Sequence, residues 1–161
     1  MKSKLHWLLV SAILFATPAW ATKEVHQHAS KDVGADVAVP KIALKVARDP
    51  IDGINMLVEI DNYVINSPLE PVEQSNMLFG HAHVFINGKK VQRLYGDALH
   101  IPASWLKPGV NQIAVSLNSH NHENWTVNGE TIVSSVFIDP DSPELVLHHF
   151  TSQPLVAAHH H

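Results

Sequence analysis

At Asn87-Gly88 the chain is expected to reverse direction within two residues. A two-residue hairpin whose twist suits its flanking strands needs positive φ at both central positions, which Asn and Gly accept most readily. Apolar and polar residues alternate on both sides, with His81-Ala82-His83-Val84-Phe85-Ile86 leading in and residues 89–95 leading out. A period of two is the pattern of a β-strand with two unlike faces. A strict two-residue connection sets Val84 opposite Val91 and His83 opposite Gln92.

The same period recurs along the chain. Residues 42–48 alternate and are closed by Asp49-Pro50-Ile51-Asp52-Gly53; residues 54–61 follow with Ile54, Met56, Val58 and Ile60 on one face. Residues 62–76 contain Pro68 and Pro71 and read as an irregular edge or loop, with Met77 at its end. After the hairpin come a short extended piece at 98–101, one helical turn at 103–106, and a strand at 110–117 carrying Ile113, Val115 and Leu117 on its core face. Asn128-Gly129 marks another tight turn before a last strand at 131–139. Short strands, frequent Gly and Pro turns and no sustained 3.6-residue period predict an all-β, antiparallel β-sandwich of immunoglobulin or cupredoxin-like type over residues 40–140.

The ends read differently. A basic start, an apolar run at 5–16 and Ala19-Trp20-Ala21 form a secretory signal peptide over residues 1–21, too short to span a bilayer well. The expected location is periplasmic or secreted, with no membrane span after cleavage. Residues 22–39 are polar and read as a flexible leader; His26 and His28 within it fit a solvated tail first and an auxiliary metal-capturing arm second. Residues 141–161 read as a C-terminal tail holding His148-His149 and His159-His160-His161, with 145–147 able to dock.

Histidine is the outstanding residue type: thirteen, against eleven Lys plus Arg, with no cysteine at all. The absence of Cys excludes blue-copper centres and thiolate zinc sites, so a metal must be held by His, carboxylate, Met or backbone atoms. His81 and His83 stand two apart on a predicted strand and therefore share a face. His120 and His122 form a second His-x-His pair, in the polar segment 118–124, and would share a face with Asn118 if the pleat continued. The alternative for each pair is an ordinary surface position. His100, flanked by Leu99 and Ile101, fits a hydrogen-bonded structural histidine as well as a ligand, and Met77 offers a soft thioether. Several imidazoles without a thiolate suit copper first, with zinc or nickel possible. The formal net charge of −4 gives no footprint for nucleic acid. No nucleophile triad, P-loop or dinucleotide fingerprint occurs, and no catalytic residue is assigned.

Gly80-His81-Ala82-His83, Phe85-Ile86-Asn87-Gly88, Arg93-Leu94-Tyr95-Gly96, His100-Ile101-Pro102, Pro108-Gly109 and Leu117-Asn118 followed by His122 resemble a group of small exported bacterial proteins. The resemblance covers about 54–139. It implies a cupredoxin-like sandwich with a metal-related role, and matches His81, His83, His100 and His122; His120 stands where the group often has another polar residue. On that resemblance, His81, His83 and His122 form the minimum set. The expected function is periplasmic copper sequestration or delivery, with another periplasmic copper protein as a possible partner. The alternatives are a copper-dependent redox enzyme, or a non-metal extracellular binding module using Trp105 and Trp125, whose default role is core packing.

Overall fold

A computed structural model describes residues 29–70 and 77–152. Residues 1–21, expected to form a signal peptide, His26 and His28, residues 71–76 and His159–His161 lie outside the described residues. In chain order the strands are β1 (Ser30–Asp32), β2 (Lys41–Arg48), β3 (Ile54–Asp61), β4 (Tyr63–Ile65), β5 (Leu78–Ile86), β6 (Lys89–Leu94), β7 (Ala98–Ile101), β8 (Asn111–Asn118), β9 (Asn124–Val127), β10 (Glu130–Thr131), β11 (Val133–Ile138) and β12 (Val146–Ser152), with one 3₁₀ turn at Ala103–Trp105. Two sheets result: β2-β3-β7, and a larger sheet in which β8 lies between β5 and β11. Pairing is mostly antiparallel, with parallel pairs β1–β9 and β4–β5. Among the described residues no helix is long and apolar enough to cross a membrane.

Alternation builds the core. Ile42 and Leu44 of β2 and Ile54, Met56 and Val58 of β3 face Ala82, Val84 and Ile86 of β5, Ile113, Val115 and Leu117 of β8, and Val136 and Ile138 of β11 across the sandwich; all are buried. Each fully buried aliphatic side chain of this kind is worth about 1.5–3 kcal/mol against exposure. Met56 is a packing residue, 2% exposed. Asn87 and Gly88 take φ of 50° and 78°, and Asn128 and Gly129 take 52° and 81°, as the hairpin pattern requires.

The strand register after the first hairpin departs from the simple expectation. Ile86 faces Lys89 and Phe85 faces Lys90, but Val84 faces Gln92 and His83 faces Arg93, with the shift between Val84 and Phe85. Val91 is the extra residue of a β-bulge and packs against the core. Turn chemistry alone carries no signal for such an insertion one turn downstream.

Both flanks of the described region, within the expected leader and tail, contribute strands. β1 pairs with β9, and Val33 is buried beside it. Strand β12 covers β11 from Val133–Ser152 to Ile138–Val146, so His148 and His149 are strand residues opposite Phe137 and Val136. Leu145 anchors its start at 9% exposure. The guanidinium of Arg48 donates to the carbonyls of Pro140, Ser142 and Pro143, fixing the turn that delivers β12. Trp125 is buried, whereas Trp105 is 37% exposed.

Candidate metal centre

Strand β5 is buried on both faces. Ala82, Val84 and Ile86 enter the core, while His81, His83 and Phe85 stand on the opposite face, His81 1% and His83 0% exposed. Opposite them β8 presents Asn118 to His81 and Ser116 to His83. These form a polar ladder: Ser116 Oγ donates to Asn118 Oδ1 at 2.9 Å, and Asn118 Nδ2 to Asn124 Oδ1 at 2.6 Å.

Gly80 allows the strand to approach this closely. Its φ is +154°, and a Cβ there would lie 2.2 Å from the Asn118 carbonyl oxygen and 2.6 Å from the Tyr63 hydroxyl. Tyr63 donates to that same carbonyl at 2.8 Å. Burial raises the Tyr63 pKa above the ordinary phenol value, so the hydroxyl keeps its proton.

The third imidazole arrives on a turn rather than by continued pleating. His122 N–H donates to the Ser119 carbonyl at 3.0 Å and Ser119 N–H to the Glu123 carbonyl at 2.9 Å, closing a tight loop between β8 and β9. His122 sits in it at φ 66°, the left-handed region. His enters that region more readily than most residues, though at some cost. Ser119 Oγ donates to Glu123 Oε2 at 2.9 Å, tying the carboxylate into the loop.

His81, His83 and His122 thereby offer ligand nitrogens that all lie within 4.8 Å of one another. The Nε2 atoms of His81 and His83 are 2.9 Å apart. Ring centroids are 4.8 Å apart for His81–His83, 5.3 Å for His81–His122 and 6.1 Å for His83–His122. Without an ion, the 2.9 Å contact is a hydrogen bond in which one Nε2 carries the proton. An ion held by these rings would take the place of that hydrogen bond, with each imidazole neutral and offering a lone pair. His81 is held neutral, its pKa lowered to about 4, first by burial and then by the charges of His122, Arg93, His120 and Lys90. A neutral ring is the form that binds metal. His81 Nδ1 is buried with no hydrogen-bond partner.

The other candidates are placed elsewhere. His120 stacks against His81 at 5.8 Å between centroids, yet its Nε2 lies 3.1 Å from Asn66 Oδ1 and it is not in the three-nitrogen group. His100 lies exposed on β7 in the smaller sheet, its Nδ1 3.1 Å from Asn55 Oδ1. Met77 is 42% exposed just before β5. Residue types alone did not single out Ser116 and Asn118 beside the β5 histidines, whose signal is the β5–β8 pairing, or Asn66, whose side chain meets His120. Comparison with known protein families, with curated proteins and with solved structures finds no match.

Proposed function

We propose that the chain is an exported copper-binding protein whose ion is held by His81, His83 and His122, serving sequestration or delivery. The observation that carries this reading is the convergence of three imidazoles from two segments, with their ligand atoms within 4.8 Å. Convergence of several imidazoles in a buried setting costs free energy unless the rings are used, because each brings polar nitrogens out of water. The all-nitrogen donor set, with no thiolate in the chain, favours copper, which heads the affinity order for such sites. Export is supported by the signal-like residues 1–21 and by the resemblance to small exported bacterial proteins of cupredoxin-like type. His122 is only half-buried and sits on a surface turn, which gives the ion an exchange route that a carrier requires.

The test is a competitive Cu(II) titration of the chain lacking 159–161. One equivalent should bind tightly, and His81→Ala with His83→Ala should abolish it. Full binding by that double variant would sink the reading.

A further inference from the structure

The Val91 bulge has a chemical consequence. By shifting the register one residue, it turns Leu94 into the core, at 5% exposure, and sets Arg93 directly opposite His83. Directly opposed residues of an antiparallel pair share a face with Cβ atoms about 5 Å apart. Without the bulge Arg93 would face Ala82 and point at the core. Lys90, opposite Phe85, stands on the same face, and the Tyr95 ring lies 5.7 Å from that of His81. The histidine face is therefore edged by two cations.

Cations are an odd choice beside a site for a cation. Three neutral imidazoles leave a divalent ion its full charge, and among the described residues no Asp or Glu joins the group. A nearby guanidinium then weakens metal binding, unless an anion sits between the two charges. Three protein ligands also leave a coordination position open, as catalytic and exchangeable sites do. Arginine suits such an anion, since its planar fork can donate to it while the anion also contacts the metal.

Resting on the metal reading above, we propose that Arg93 binds a small inorganic anion at the coordination position left open by His81, His83 and His122. Lys90 adds positive potential at the approach. This gives the Arg93-Leu94-Tyr95 segment a role: Leu94 anchors in the core while its two neighbours face the metal centre.

The probe is azide, added at constant ionic strength to the Cu(II)-loaded chain lacking 159–161 and followed by its azide-to-copper charge-transfer absorption. Wild type should bind azide. Arg93→Gln should weaken azide about ten-fold, as expected for loss of a charge-assisted hydrogen bond, and Arg93→Lys by less. Cu(II) affinity in a non-coordinating buffer should hold or rise in Arg93→Gln, because a repelling charge is gone. A merely structural role would lower both affinities together, and that result would overturn the proposal. So would copper-loaded wild type that takes up no azide, or an azide Kd unchanged in Arg93→Gln. Failure of wild type to bind copper at the three histidines would overturn the metal reading and this inference with it.

Discussion

The His81-x-His83 pair lies on a strand and the His120-x-His122 pair on a turn, and the rings behave accordingly. On β5 the two-residue period sends both imidazoles to one face, and their Nε2 atoms come within 2.9 Å. In the 119–123 loop the backbone turns between His120 and His122, so the rings part. His122 joins the β5 pair, while His120 is engaged by Asn66. Identical spacing thus brings both rings into the three-nitrogen cluster in one case and one ring in the other. Backbone conformation, not residue identity, decides how many nitrogens converge.

That contrast gives the largest predicted effect. His81→Ala or His83→Ala should each cost about two orders of magnitude or more in Cu(II) affinity, beyond the 10–100-fold typical of losing a supporting partner. His120→Ala should change affinity less than about three-fold, the scale of a surface substitution. Isothermal titration of the three variants side by side checks this. Equal losses at His120 and His81 would erase the distinction between strand pair and turn pair.

Gly80→Ala probes the framework instead of the ligands. Its Cβ would strike the Asn118 carbonyl and the Tyr63 hydroxyl, so β5 and β8 must move apart. We expect a loss of about 2–4 kcal/mol in denaturant unfolding, in the range for strain at a special backbone position. An unchanged midpoint would mean that close β5–β8 approach does not organise the site.

A pH titration of the metal-free chain should give a comparable or smaller effect. Burial holds His81 in the folded chain at about 4, below the ordinary imidazole value of 6.5. As pH falls from 6.5 to 4, the unfolded chain takes up a proton that the folded chain refuses, so folding stability declines across that window and its contribution is complete above it. The full difference is on the order of 3 kcal/mol by linkage. His81→Ala should flatten the slope; an identical slope in the variant would contradict the assignment.

His122→Gly sharpens the comparison with the smallest stability change. Glycine accepts φ of 66° without strain but gains freedom when unfolded, so the two effects offset to within about 1 kcal/mol. Copper affinity should nevertheless fall as for a lost ligand. Loss of binding with retained stability separates a ligand from a structural residue, and retained binding would remove His122 from the site.

Much of this was legible in the chain because alternation and turn chemistry are local. Asn87-Gly88, Asn128-Gly129 and the Ile54-Met56-Val58 stripe each declare their structure within a few residues, and His81 and His83 inherit a shared face from the strand. What escaped depends on distant pairing. The bulge at Val91 shows only once β6 is aligned with β5, and it alone brings Arg93 opposite His83. Strand β12 shows no buried alternating face, with Leu147 47% and Phe150 61% exposed, and forms by pairing with β11. His100 sits in a suggestive apolar context, but β7 belongs to the other sheet.

The most direct test is anomalous X-ray scattering from crystals of the copper-loaded chain lacking 159–161. The account predicts one copper peak per chain, about 2.0–2.2 Å from a ring nitrogen of each of His81, His83 and His122. Copper found only elsewhere, or bound by fewer than two of these three rings, would contradict it.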